Sequence, residues 1–498
     1  MGAFIMDYLD ASAVKFPDKL AFADEKREMT FSELQIEAHK IATQLILCGF
    51  FKDPIVVMLD KSPECIATFC GIAYSGNFYT PIDIDMPVER IEKILFTLKP
   101  KAIITVSAYK GIVKDNAIRV FEYEDLLRQS IDYDSIESRK KNIIDTDVLY
   151  VLFTSGSTGI PKGVVIGQKS VIDYTEWVST TFNIDSSHIF GNQAPLYFDN
   201  SVLDIYQTLK TGATTYFIPK KYFSFPAKLM SYLNEKKINT IFWVPSVLCL
   251  VANVDVLTSV HVESLSKILF AGEVMPAKQL NKWRAIYPNC MFANLYGPTE
   301  ITVDCSYYIL DRNFADNESI PIGYACANTD IFVINEKSEL AAVNEIGELY
   351  VRGTSLAYGY YNNFSKTQEV FVQNPLNDKY PEIVYKTGDL VKINERGELI
   401  YVSRKDFQIK HMGYRIELGE IENVVGAMDD VSSCCTVYDE NKKEIVLFLN
   451  GDIEPCELRK KLRQHLPVYM LPNRVEKLNS LPINFNGKID RVKLRTML

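Results

Sequence analysis

Short apolar runs alternate along this chain with stretches of helical spacing, and that alternation constrains the fold more than any other feature. PIVVMLD (54–60) is followed by SPECIATFCGIAYSG (62–76), where Ser62 and Pro63 make a helix start and Gly76 a stop. KAIITV (101–106) and NTIFWVP (239–245) read as further buried strands. Strands that alternate with helices predict parallel sheets in α/β layers. Between 331 and 402 the pattern changes to short strands separated by tight Gly, Asn and Glu-Arg-Gly turns, as in an antiparallel β-subdomain. Beyond Lys405-Asp406 a smaller unit is predicted, with helices at 417–427 and 456–465 and strands at 431–438 and 444–449. The domain boundary falls near 404–406.

A chain of 498 residues, 47% hydrophobic, is long enough for several units with large cores. Its net charge of −9 argues against nucleic acid, whose binders need a basic face. The one basic cluster, Arg459-Lys460-Lys461-Leu462-Arg463, has helical spacing and reads as a solvated helix face rather than a docking patch. The N-terminus lacks a basic start before a long apolar core, so no signal peptide is expected. Met1-Gly2 opens like a myristoylation signal, but Met6 stands where that signal wants Ser or Thr. No apolar run approaches the ~18 residues of a membrane span, so no membrane insertion is expected. The ten cysteines show no metal-ligand spacing, which fits reduced thiols in a cytoplasmic protein.

The stretch FTSGSTGIPKGV (153–164) concentrates glycines, hydroxyls and one lysine. Gly156 and Gly159 permit close backbone approach, while backbone N–H groups and Thr154, Ser155, Ser157 and Thr158 can face anionic oxygens. Lys162 adds a charge. Pro161 before it and Gly163 after it exclude a Walker A loop and disfavour a Walker-type kinase or ATPase. A surface Ser/Gly turn is the alternative the stretch alone allows.

Nine further motifs follow in order: TFSEL (30–34), YTPID (79–83), YFDNS (197–201), NLYGPTE (294–300), GELYVRG (347–353), YKTGDL (385–390), SRKDFQIKHMGYRIELGEIE (403–422), LPVYMLP (466–472) and NGKID (486–490). With the 153–164 stretch, they resemble the signatures of the adenylate-forming superfamily over almost the whole chain. Within it, the chain is most similar to free-standing adenylation domains of nonribosomal peptide synthesis, including D-alanine–carrier protein ligases. The resemblance implies an α/β fold: a large N-terminal domain (1–403) of two α/β subdomains plus a β-subdomain, a hinge at 404–406, and a small mobile α+β C-terminal domain (407–498).

Such enzymes join a carboxylate to the α-phosphate of ATP and release pyrophosphate. That chemistry demands positioning and charge stabilisation more than covalent participation. The resemblance implies that the loop wraps the β- and γ-phosphates, with Thr154 and Lys162 counted among the catalytic groups. In NLYGPTE, Asn294 would bond the adenine edge and Tyr296 stack on its face; Leu295, Gly297 and Thr299 would line the nucleotide site. Glu300 would hold Mg²⁺, although a surface acid in a turn fits the residues alone. Asp389 would accept the two ribose hydroxyls, although a Gly-Asp pair is also ordinary turn chemistry. Tyr401 and Arg404 would close over ribose and phosphates, with Ser403 standing where the family has Gly. Lys488, a plain turn lysine without the family, would bridge the substrate carboxylate and the α-phosphate and serve adenylation alone. Asp406 would be the hinge about which the small domain rotates. Lys410 and Gly413 would then serve the thiolation state.

Phe198 and Asp199 carry the substrate clue. In amino-acid-activating relatives the acid at Asp199 pairs with the α-ammonium; an N-cap for the helix starting near Ser201 is the competing reading. The remaining pocket positions implied are Asn200, Leu203, Ser246, Leu269, Ala271, Leu295, Val303 and Asp304, with Lys488 on the carboxylate. This set resembles pockets for serine or another small or polar amino acid, with Asp304 accepting the side chain's hydrogen bond; ornithine-like and alanine-type substrates stay open. The partners implied are an amino acid, ATP and a separate phosphopantetheinylated carrier protein acting in trans, since no carrier segment follows Leu498; a monomer is expected. The alternatives are a D-alanine–carrier protein ligase for teichoic acid, an acyl- or aryl-CoA ligase, and a non-catalytic nucleotide binder.

Overall fold

The computed structural model describes residues 4–112, 118–156, 160–254, 256–483 and 489–498. Packing divides them into two compact units. The first comprises the described residues of Met1–Ile84, Lys99–Leu152 and Val164–Ser403; the second those of Asp85–Leu98, Phe153–Gly163 and Arg404–Leu498.

Two large sheets build the first unit. One runs in the spatial order Arg119–Glu122, Ala102–Thr105, Pro54–Met58, Phe78–Pro81, Val148–Thr154, Lys162–Gly167. Its first five strands pair in parallel. The other has nine strands: Tyr324–Ala325, Ser306–Ile309, Met291–Tyr296, Lys267–Phe270, Thr240–Trp243, Ile189–Asn192, Thr214–Phe217, Leu20–Ala23 and Glu28–Thr30. It is parallel from Met291–Tyr296 to Leu20–Ala23 and antiparallel at both margins. Two α/β layers are therefore present, as the alternating pattern predicts. The helix predicted after the first strand spans Pro63–Tyr74, with the Ser62 side chain accepting from the Cys65 N–H and Pro63 opening the first turn. Its residues are buried almost without exception, because a helix between sheet and neighbouring helix has little solvent face.

The five-stranded sheet formed by Thr329–Ile334, Gly347–Gly353, Ile383–Ile393, Phe371–Gln373 and Leu399–Arg404 contains the antiparallel pairing expected of 331–402. Its ladder is broken at one place. Glu348 pairs with Leu390 and Tyr350 with Lys386, so Leu349 alone opposes Thr387, Gly388 and Asp389. This bulge needs the positive φ of Gly388, +76°.

The second unit pairs Gln408–His411 with Tyr414–Glu417, then Val431–Asp439 with Glu444–Gly451, to which Arg474–Lys477 adds in parallel. Met412 and Gly413 join the first pair with φ of +51° and +81°, the type I′ geometry of a two-residue hairpin. Leu418–Gly426 and Pro455–His465 pack Leu418, Ile421, Val425, Leu458 and Leu462 into one core. The basic cluster thus lies on an amphipathic helix: Leu458 and Leu462 face inward while Lys461 pairs with Asp430 and Glu457. Among the described residues no helix is long and apolar enough to cross a membrane, and the cysteines are free thiols.

Candidate functional site

In the first unit, Met291–Tyr296 ends in a sharp loop that gathers several of the sequence-predicted site residues. A Cβ on Gly297 would lie 2.3 Å from the Val303 carbonyl oxygen and 2.6 Å from the Asp304 Cα, so only glycine permits this approach. Thr302 and Val303 follow at φ of +57° and +71°. Two successive left-handed non-glycine residues, one β-branched, store backbone strain of the kind found at binding sites. Tyr296 accepts the Cys305 N–H, which pins the loop against the strand.

Three buried carboxylates converge on this loop, and each is gripped by a hydroxyl. Thr299 donates to Asp199 at 2.6 Å. Tyr360 donates to Glu300 at 2.6 Å, and Glu300 has no exposed surface. Tyr174 donates to Asp304 at 2.7 Å. Glu300 is therefore not a surface acid. The N-cap of the helix Ser201–Thr211 is Asn200, which makes no side-chain capping bond, while the Asp199 carboxylate faces Thr299. A fourth carboxylate, Asp389, sits in the strand bulge rather than an ordinary turn. Thr387 accepts the Asp389 N–H at 3.0 Å and donates to the Leu349 carbonyl at 2.8 Å, and the Tyr296 hydroxyl donates to Asp389.

Of the pocket positions, Leu203, Leu269, Ala271, Leu295 and Val303 belong to one continuous apolar cluster that also contains Tyr174. Asn200 is buried and Phe198 half-buried. The Ser246 N–H donates to Glu273 at 2.9 Å at the start of the helix Pro245–Asn253. Asn294 already donates to the Pro321 carbonyl at 2.8 Å. Tyr401 packs against the core beneath the five-stranded sheet.

In the second unit, a Cβ on Gly156 would meet the Ile160 carbonyl oxygen at 2.0 Å, so this glycine is obligatory. Ser155 donates to the Arg415 carbonyl at 2.7 Å, and Lys162 lies 3.8 Å from Glu417. The Thr154 hydroxyl is buried with no partner among the described residues. Arg90 pairs with Glu420, both almost fully buried; burial pushes the Glu420 carboxyl up against the opposing pull of Arg90. Lys410 and Gly413 lie on the Gln408–Glu417 hairpin, where Gly413 also serves the turn. Arg404 and Asp406 form a bidentate pair. Ser157, Thr158, Gly159 and Lys488 lie outside the described residues.

Four contributors escape sequence reasoning: Tyr174, Tyr360, Thr387 and Arg90. Tyr174 carried a signal, because a phenol on the buried face of a helix (Gln168–Thr181) needs a partner for its hydroxyl. Arg90 carried none, since Glu420 is 330 positions away.

Glu300 fits a magnesium site. One buried carboxylate is what Mg²⁺ takes from a protein when phosphates and waters fill the other positions.

A family model described as AMP-binding enzyme matches residues 9–361. Tyrocidine synthase 1 of Brevibacillus parabrevis is 32% identical over 99% of this chain, which spans 45% of that protein's length. The D-alanine–D-alanyl carrier protein ligase of Bacillus cereus strain G9842 is 30% identical, with 98% of each chain covered. In fold, the chain is similar to the Vibrio cholerae adenylation domain AlmE, solved in complex with glycyl-adenosine-5'-phosphate; the TM-score is 0.87 at 23% identity, covering 100% of this chain and 98% of that one. This chain, with its glycine-dependent loop and converging carboxylates, belongs to the AMP-binding enzyme family of adenylate-forming, ATP-dependent ligases.

Proposed function

We propose that the protein converts an α-amino acid to its aminoacyl-adenylate and passes it to the phosphopantetheine thiol of a separate carrier protein. The observation that carries this reading is Asp199, a buried carboxylate bonded to Thr299, the neighbour of Glu300. A buried anion is costly unless a cation or donors meet it. An α-ammonium supplies that charge, and plain fatty acids have none.

In the first step the substrate carboxylate attacks the α-phosphorus, and pyrophosphate leaves with the electron pair of the broken P–O bond. Thr154, Ser155 and Lys162 would hold the departing phosphates; the buried Thr154 hydroxyl is suited to an anionic acceptor. Asp389 and Tyr296 would hold the nucleoside, and Glu300 would hold Mg²⁺, which neutralises phosphate charge when bound. Lys488 would meet the charge that builds between carboxylate and α-phosphate. In the second step the carrier thiol attacks the acyl carbon and AMP leaves. Asp406 would be the hinge between steps, with Lys410 and Gly413 serving the second. Serine or another small polar amino acid is the favoured substrate, with Asp304 as the acceptor for its side chain; D-alanine is the second reading, favoured by the relative with 98% mutual coverage.

ATP–pyrophosphate exchange over all amino acids tests the first step. Exchange with one or a few amino acids, lost in Lys488→Ala, is expected; no exchange with any of them refutes the proposal. Acceptor assays with a holo-carrier protein and with coenzyme A test the second step, and transfer to coenzyme A alone refutes the carrier assignment.

A further inference from the structure

Tyr174 belongs to the cluster of the apolar pocket positions, and its hydroxyl reaches an acid. Tyr174 is 5% exposed, Asp304 is 2% exposed, and the Tyr174 hydroxyl donates to Asp304 Oδ2 at 2.7 Å. Burial and the neighbouring acids, Asp304 first, push the Tyr174 phenol far above its ordinary ionisation, so it remains a donor at any working pH. A carboxylate that receives a hydrogen bond from a buried phenol is held as an acceptor.

A second polar group among the pocket positions is a buried donor. Asn200 is 6% exposed, and its Nδ2 is buried with no hydrogen-bond partner among the described residues. It lies 3.9 Å from where a Cβ on Gly272 would stand, and Gly272, at φ +94°, has no side chain to fill that space. Asn200 is three residues before Leu203, Gly272 follows Ala271, and Asp304 follows Val303; all three neighbours are in the Tyr174 cluster. An orphaned buried donor is costly, so a ligand that offers it an acceptor gains selectively.

We propose that Tyr174 is a specificity-determining residue of this pocket. By committing Asp304 to accept hydrogen bonds while Asn200 supplies a donor, it selects an amino acid whose side chain both donates and accepts: a hydroxyl or a carboxamide. A cationic side chain answers Asp304 but offers Asn200 no acceptor, and an alkyl side chain answers neither. This rests on the adenylation reading above and narrows its substrate class.

The test is the ratio of kcat/KM in ATP–pyrophosphate exchange within matched pairs: serine against alanine, threonine against 2-aminobutyrate, and asparagine against norvaline, with ornithine as the cationic probe. A ratio measured on one preparation is unaffected by loss of folded protein. Wild type should favour the hydroxyl or carboxamide member of at least one pair by about a hundredfold or more. Tyr174→Phe, which keeps the ring, should lower that ratio by about tenfold or more. Asn200→Ala should lower the same ratio, and it decides the matter should Tyr174→Phe fail to melt cooperatively. A wild-type preference for ornithine or an alkyl side chain overturns the inference while leaving adenylation intact. So does a ratio unchanged in the variants. Absence of exchange with every amino acid from a cooperatively melting protein refutes the adenylation reading, and this inference with it.

Discussion

Arg404 grips Asp406 with two parallel hydrogen bonds, Nε to Oδ1 at 2.8 Å and Nη2 to Oδ2 at 2.6 Å. Burial acts to raise the Asp406 carboxyl, but the Arg404 bond and charge outweigh it and hold it below the usual carboxylate range. Its folded value is therefore below its unfolded one, near 3.9. The pair's stabilisation is complete above that unfolded value and is lost as pH falls through the lower folded one. Arg404→Ala should move the Asp406 titration upward, read by NMR on the side-chain carboxyl. An unmoved titration would mean that the fork does not set its charge.

Tyr296 and Asp389 form a second pair, both buried, within the first unit. Tyr296→Phe removes the donor and keeps the ring, so it should cost about 1–3 kcal/mol in chemical denaturation. If Asp389 holds the ribose, Asp389→Ala should raise the KM for ATP about tenfold or more, with little change in the KM for the amino acid. Equal effects on both would point to a general collapse of the site.

Gly297→Ala places a methyl 2.3 Å from the Val303 carbonyl oxygen, a backbone atom that cannot swing aside. The strained Thr302-Val303 segment must then shift and carry Asp304 with it. We expect exchange activity to fall by about tenfold or more, as sub-ångström misplacement costs catalysis steeply. The melting temperature should fall as well, because Ile301 and Val303 of this loop belong to buried apolar clusters. A variant as active as wild type would show that this loop adapts freely.

Arg90→Ala leaves Glu420 buried without its cation. Side-chain exposures of 6% and 2% put this pair among those whose breakage costs about 3–5 kcal/mol. Urea unfolding should show a loss of that order. A double variant with Glu420→Gln should recover part of it, since no charge then stays buried.

Much of this molecule is legible in its sequence because short-range rules write it. The Ser62-Pro63 start fixes a helix through one capping bond and one preset φ. Gly156 is legible as a residue of close approach, and the structure puts a carbonyl oxygen where its side chain would be. Glu300 and Asp389 are different. As isolated acids in Gly-rich turns they also read as a surface acid and a turn residue, and only their burial against Tyr360 and Tyr296 takes them off the surface. Tyr174 stands at the far end of this scale, an ordinary tyrosine on a helix face until Asp304, 130 positions away, is brought to its hydroxyl.

The sequence by itself determined the order of strands and helices, the glycines that the loops require and the side chains with chemistry to offer. All of these follow from dihedral limits and periodicity within a few residues. Only the tertiary structure decided which acid meets which hydroxyl. Thr299 with Asp199, Tyr174 with Asp304 and Tyr296 with Asp389 are joined across 100, 130 and 93 positions. No local rule reaches that far. Such pairs form because packed layers bring strand ends together, and burial then makes an unmet carboxylate too costly to keep.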